Sequence, residues 1–424
     1  MAELGFNAGD EVRFRLAQEE VDGIVLENPD SSVVLIKLKS GYNVGIPRDN
    51  ILASRVLKKY ERVVKEEKKS EVKRKKGLPV LGLVVTGGTI AAKLDAKRGG
   101  TSWLTDPGEL MRFYPELFEM VDVKTIDVPF MTSSEAMTSE HWIKIAESVK
   151  KMVDDPEIKG VIVTHGTDFL HYTAAALSFF LQDLTKPVVL TYSQRSIDRA
   201  SSDANLNLVC AARAALSDVA EVMLVGHANL NDEYCHAMRG SKVRKMHSSR
   251  RDAFQPINCE PIAKVWPDKI EFISEYRKSP GGKTVLDTSF TDKVALVKFY
   301  PGQDPSILDL YALKFKGVVI EVGGLGHLPP SEAKHNWVPA LKKHIRQGLV
   351  ICAAAQTIYG RLDPFVYSNG REIVDAGVIF LDDMLPETAM VKLGWVLGHF
   401  GWKGKVKEKM KENVSGELNE RIAV

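Results

Sequence analysis

Two threonine-bearing loops and one lysine are the places where this sequence could do chemistry. Thr86-Gly87-Gly88-Thr89 follows Val80 to Val85, a short apolar run that reads as a buried strand. Two glycines admit backbone conformations closed to other residues and let the chain approach a ligand closely. The carboxyl end of a strand in an open α/β sheet is where ligands bind. Thr89 is therefore a candidate nucleophile; the structural alternative is a turn that needs two glycines. A second strand, Gly160 to Thr164, ends in the similar loop Thr164-His165-Gly166-Thr167-Asp168. If the two strands lie adjacent and parallel, Thr89, Thr167 and Asp168 come to one rim. A threonine hydroxyl is a poor nucleophile until something takes its proton. A lysine can do so where burial and neighbouring groups keep it neutral, with a carboxylate to orient it. The candidate is Lys245, in Val243-Arg244-Lys245-Met246-His247. Its alternative is a solvated charge in a basic segment with Arg239, Lys242, Arg244, Arg250 and Arg251, a segment that could equally face RNA.

Elements that would position these residues alternate from Leu78 onward. Ser139 to Val153 carries Trp142, Ile145, Ala146, Val149 and Met152 at helical spacing, with Ser139 as a candidate cap. Tyr172 to Leu184 and Ser202 to Ser217 read as further helices, and Pro187 to Thr191 and Glu221 to Gly226 as strands. This alternation predicts a mostly parallel sheet covered on both faces. Ala91 to Leu104, rich in Gly, Lys and Ser, has the composition of a lid. Residues 276–292 form a connector. Gly282-Lys283-Thr284 resembles the end of a phosphate-binding loop, but Arg277 stands where that pattern requires glycine. Val294 to Tyr300, Gly317 to Val322 and Gly348 to Ala353 read as strands of a second, smaller α/β domain over residues 293–404. Trp337 to Arg346 and Pro386 to Leu397 read as its helices, and residues 405–424 as an exposed polar tail.

Ahead of this core, residues 1–57 hold short alternating segments separated by turn residues. They predict a small β-barrel of SH3 or Tudor type, a module for docking more than for base stacking. Residues 58–77 are a charge run with little apolar surface, expected as a linker or a solvated helix. The chain has 424 residues, 26% charged and 44% apolar, with a formal net charge of +2. Two to three domains and no whole-chain attraction for nucleic acid follow. Four scattered cysteines, without a C-x-x-C pair, indicate neither a zinc site nor a disulfide framework and fit the cytoplasm. No signal peptide or membrane span is expected.

The two loop motifs, in this order, resemble the type II L-asparaginase family over roughly Leu78 to Gly398. That resemblance implies an α/β fold of two asparaginase-like domains, a larger one over residues 78–275 and a smaller one behind it. It further implies metal-free hydrolysis of a side-chain amide and self-association into a homodimer or tetramer. Thr89 matches the nucleophile, and Thr167, Asp168 and Lys245 a supporting triad. Ser134 and Glu135 match the loop that holds a substrate's α-carboxylate and α-amino groups. Backbone N–H groups beside Gly88 or Gly166 could hold an oxyanion. The chain departs from the pattern at Phe169, where threonine is usual, and at Val322-Gly323-Gly324. It also lacks a tyrosine between Thr89 and Arg112; Trp103 and Tyr114 are the candidates to replace it.

The barrel and charged linker in front extend the resemblance, as do Tyr359-Gly360-Arg361, Val366-Tyr367-Ser368, Gly370-Arg371 and Asp383 to Thr388. Together they resemble the GatD family, the asparaginase-like subunits of archaeal glutamyl-tRNA(Gln) amidotransferases. The implied activity is a glutaminase whose ammonia passes to a separate partner, GatE, for amidation of Glu-tRNA(Gln). ATP and Mg would belong to that partner, with no cofactor in this chain. The alternatives are a stand-alone asparaginase or glutaminase with an accessory barrel, and a non-enzymatic RNA-binding scaffold.

Overall fold

The computed structural model describes residues 5–28, 30–40, 42–60, 77–94, 101–103, 113–197, 199 and 201–421. Most of the charge run, and the middle of the expected lid, lie outside these residues. The ends of that lid segment form a short antiparallel pair, Ala92–Leu94 with Thr101–Trp103.

The N-terminal unit is a five-stranded antiparallel sheet around its own core of Val12, Phe14, Val25, Val34, Ile36 and Ile46. Alternation along Glu11–Arg15 buries Val12 and Phe14 and exposes the arginines between them.

The middle unit is an eight-stranded sheet. Five parallel strands run in the spatial order Asp122–Asp127, Val80–Val85, Gly160–Thr164, Val188–Thr191, Val222–His227. Three antiparallel strands then extend one edge: Cys235–Arg239, Ala263–Val265 and Ile270–Phe272. These three, and Asp122–Asp127, are additions to the sequence reading. Their short, mixed segments carry little periodicity and gain their apolar cover from the sheet itself. The parallel strands are buried on both faces, which is why they read as unbroken apolar runs. Helices Ser139–Asp154 and Leu170–Phe180 cover one face, and Pro115–Met120 and Ala204–Ala215 the other. Thr138, not Ser139, takes the N-cap position of the first of these, while the Ser139 hydroxyl donates to Asp292.

The strand order places Val80–Val85 between a neighbour that follows it directly and one that follows later. Connections therefore leave in opposite directions on its two sides. Such a reversal opens a crevice at the carboxyl ends of the strands. Both threonine-bearing loops lie at this edge.

The C-terminal unit is a four-stranded parallel sheet, Val294–Lys298, Gly317–Val322, Val350–Ala355 and Ile379–Phe380. Helix Pro386–Gly398 packs both on that sheet and on helix Leu170–Phe180, so one apolar core runs through the two α/β units. The tail is not the exposed helix that its polar composition suggests. A short helix, Val406–Lys411, buries Met410. Glu417 is then fully buried, its carboxylate held by Lys392, Val414 and Ser415. A charged residue is not evidence of exposure when its partner lies elsewhere in the chain.

Candidate active site

The loop after Val80–Val85 and the loop after Gly160–Thr164 are bound to each other by backbone. The strands pair in register, Val85 opposite Thr164. Both the N–H and the hydroxyl of Thr86 donate to the Thr164 carbonyl, at 3.2 and 2.8 Å. Gly88 lies so close to the second loop that a Cβ there would sit 2.4 Å from the Gly166 nitrogen. A third loop closes the group: a Cβ on Gly87 would meet the Thr132 carbonyl oxygen at 2.4 Å. The Phe169 N–H donates to the Ser134 hydroxyl at 3.3 Å. The glycines are thus demanded by neighbouring loops more than by the turn itself. Gly88 has φ 81° and ψ 166°, a region only glycine occupies freely.

Thr89 follows directly, half-buried at the start of a single 3-10 turn. On the facing loop, Lys245 Nζ donates to Thr167 Oγ1 at 2.9 Å and to Asp168 Oδ1 at 2.6 Å. The Lys245 side chain is 9% exposed and that of Asp168 61%. The ammonium group is therefore shielded while the carboxylate that faces it stays wet. Thr89, Thr167, Asp168 and Lys245 all lie at this crevice, beside Gly88 and Gly166. Ser134 is buried there, and Glu135 beside it is exposed.

The basic segment around Lys245 is not a solvated face. Arg239 pairs with Glu221, Lys242 with Asp383, Arg244 with Glu387, Arg250 with Asp252 and Arg251 with Asp232. Like charges adjacent in sequence are here distributed among separate carboxylates, which removes the footprint that RNA would need. Tyr114 does not serve as a lid residue. It is 1% exposed, with its hydroxyl donating to the Ile90 carbonyl. Phe169 is 45% exposed at the rim, its ring near Tyr172. Among the described residues no three His, Cys, Asp or Glu side chains are grouped as metal ligands.

His165 is a residue that sequence reasoning left without a role. It is fully buried beneath the rim, one ring nitrogen 2.7 Å from the Gly166 carbonyl and the other 2.9 Å from the Thr173 hydroxyl. Burial pushes its imidazole down to about 4, against the opposing effect of the Gly166 bond. Burial likewise pushes His171 down to about 3, helped by the nearby charges of Arg244 and Lys245. Both groups bind protons more weakly folded than unfolded. Stability is accordingly complete above their unfolded value near 6.5 and falls as the pH drops through the folded values. For His165 alone the displacement corresponds to roughly 3 kcal/mol. The urea midpoint should hold steady from about pH 8 to 7 and decline clearly from about 6.5 towards 4. A midpoint flat across the acid window would show that these rings accept protons without leaving the fold.

Similarity to known proteins follows the three structural units. Three family models match: "GatD N-terminal domain" over residues 6–57, "Asparaginase, N-terminal" over 81–278 and "Glutaminase/Asparaginase C-terminal domain" over 293–410. The structure is similar to the thermostable L-asparaginase from Thermococcus kodakarensis, at TM-score 0.71 and 29% identity. That likeness covers 81% of this chain and all of the other. L-asparaginase I from Vibrio cholerae gives 0.69 and 26%, over 81% and 99% of the two chains. The GatD subunit of glutamyl-tRNA(Gln) amidotransferase from Thermococcus kodakarensis is 45% identical over 99% of this chain and 96% of its own length. The Pyrococcus furiosus protein of the same name is 44% identical over the same shares. One from Saccharolobus islandicus is 40% identical, over 99% and 94%. The barrel, which the asparaginases lack room for in their aligned length, is thus shared by relatives that match from end to end, and the chain belongs to the GatD family of glutamyl-tRNA(Gln) amidotransferase subunits.

Proposed function

We propose that this chain is the glutaminase component of a tRNA-dependent amidotransferase, with Thr89 as its nucleophile. The Thr89 oxygen attacks the side-chain carbonyl carbon of glutamine. The C–N bond breaks, the nitrogen leaves as ammonia after taking a proton, and a glutamyl ester remains on Thr89. Water then cleaves that ester to give glutamate. Lys245 and Asp168 polarise Thr167, which handles the proton and positions the water. Backbone N–H groups beside Gly88 or Gly166 stabilise the oxyanion, a contribution of about 3 kcal/mol for one well-placed donor. Ser134 and Glu135 hold the substrate's α-carboxylate and α-amino groups.

The observation that supports this reading best is the Lys245 ammonium, bonded at once to Thr167 and Asp168 in the crevice that also holds Thr89. Ammonia then passes to the GatE partner, which amidates Glu-tRNA(Gln) in the ATP- and Mg-dependent step. The glutaminase chain needs no cofactor of its own. Family membership also supports a homodimer and a cytoplasmic setting. No helix among the described residues is long and apolar enough to cross a membrane.

Lys245→Met is expected to slow ammonia release from glutamine by roughly 10²- to 10⁴-fold, the usual range for a positioned proton-transfer group. The same assay on the unaltered chain, with and without partner and charged tRNA, separates the coupled glutaminase from a free-standing amidohydrolase. A coupled enzyme speeds up when both are added. An unchanged Lys245→Met rate would refute the mechanism, and a rate indifferent to partner and tRNA would refute the coupling.

A further inference from the structure

Lys245 lies on a strand that the large sheet does not hold. Val243–Lys245 pairs only with Phe254–Pro256, in a separate two-stranded piece. Three backbone positions are a weak frame for a group that must sit within a few tenths of an ångström of its partners.

What holds this segment is the C-terminal unit. Thr388 Oγ1 donates to the Ser241 carbonyl at 3.0 Å, and Ser241 Oγ donates to the Ser415 carbonyl at 2.7 Å. Lys242 Nζ reaches the Asp383 carboxylate and, at 3.2 Å, the Asp383 carbonyl, with neither side chain exposed. Asn419 closes over Asp383 from the tail, its N–H 3.0 Å and its side-chain amide 2.9 Å from the carboxylate. Arg244 then pairs with Glu387 at 2.9 Å. Glu387 is 6% exposed, and its Oε2 has no hydrogen-bond partner among the described residues. Arg244 is therefore the group that compensates this buried carboxylate.

Successive residues of a strand face opposite ways. Arg244 faces helix Pro386–Gly398, whose second residue is Glu387. Lys245 faces Thr167 and Asp168. We propose that Arg244 and Glu387 are positioning residues: their ion pair fixes the strand on which Lys245 is presented, so the C-terminal unit sets the geometry of the proton-handling group. This rests on the reading of Lys245 given above. It adds two residues from outside the loop motifs, one of them in the other unit.

The test is the near-isosteric Glu387→Gln in the full chain, assayed for ammonia release from glutamine, alone and combined with Lys245→Met. A positioning role predicts that kcat falls about 10-fold while KM for glutamine stays within about twofold, since substrate contacts are untouched. It further predicts that the loss vanishes once Lys245 is gone, because both changes act through one group. A Glu387→Gln enzyme with unchanged kcat would overturn the proposal. So would a loss of the same factor with and without Lys245, which marks general structural damage. If Glu387→Gln fails to fold, Arg244→Lys gives the same readout, since it keeps the charge but alters the reach. A fully active Lys245→Met enzyme would defeat the functional reading and this inference together. An inactive Lys245→Met enzyme beside a fully active Glu387→Gln enzyme would defeat this inference alone.

Discussion

Thr89→Ala is expected to reduce ammonia release from glutamine on the order of 10⁴-fold or more, with a melting temperature close to that of the unaltered chain. Removing a covalent nucleophile eliminates the acyl-enzyme route, and what remains is binding and oxyanion stabilisation. The fold should survive because Thr89 is half-buried and contributes no side chain to an apolar core. Alanine also suits the single turn that Thr89 opens. The reciprocal change, Thr167→Ala, removes the group that Lys245 and Asp168 engage, and leaves the nucleophile in place. The two variants are told apart by intact-protein mass measurement after rapid quenching with glutamine. Thr167→Ala should retain a slowly hydrolysed glutamyl adduct on Thr89, whereas Thr89→Ala should carry none. A Thr89→Ala chain that still releases ammonia at full rate would move the nucleophile elsewhere, with Thr167 the next candidate.

The parts of the site carried by local pattern were legible in the sequence. Two β-branched runs ending in Gly–Thr loops gave the strands, their ends and the threonines, because fully buried parallel strands have few other ways to look. That these strands are neighbours followed only from the expectation of a parallel sheet. The reversal of strand order beside Val80–Val85, which opens the crevice, has no local signature. Charge was the least readable feature. Arg239 to Arg251 looked like one basic face, yet its cations are matched by Glu221, Asp383, Glu387, Asp252 and Asp232. Two of those carboxylates come from the C-terminal unit, far away along the chain. The tail departs from its expected exposure for the same reason: Glu417 is buried because Lys392 is. Tyr114 was a candidate for the lid by position alone, and a buried phenol bonded to Ile90 cannot play that part. Sequence reports a residue's chemistry and its neighbours in the chain, whereas burial of a charge depends on what folds back onto it.

Gly88→Ala should be more damaging than any other single-methyl addition at the site, and it tests whether the two loops must touch. Two costs combine. A φ of 81° with ψ of 166° lies in a region that side chains scarcely enter, at roughly 1–3 kcal/mol. The added Cβ would also lie 2.4 Å from the Gly166 nitrogen and 2.5 Å from the His165 carbonyl, both backbone atoms of a buried loop. Overpacking of that kind costs about 1–3 kcal/mol when the neighbour gives way. A fall in unfolding free energy of roughly 2–5 kcal/mol is expected, with loss of most ammonia release. Gly281→Ala is the control, because its φ is 80° but no atom lies within 4 Å of the new Cβ. It should cost only the backbone strain, on the order of 1–2 kcal/mol, and leave activity intact. Gly166→Ala falls between the two, since its Cβ would approach Ser134 at 3.2 Å in an ordinary backbone conformation. Urea midpoints and glutamine turnover for the three variants therefore separate strain from collision. Equal losses for Gly88→Ala and Gly281→Ala would mean that contact between the loops contributes nothing to stability, and that the threonines are brought together by the strands alone.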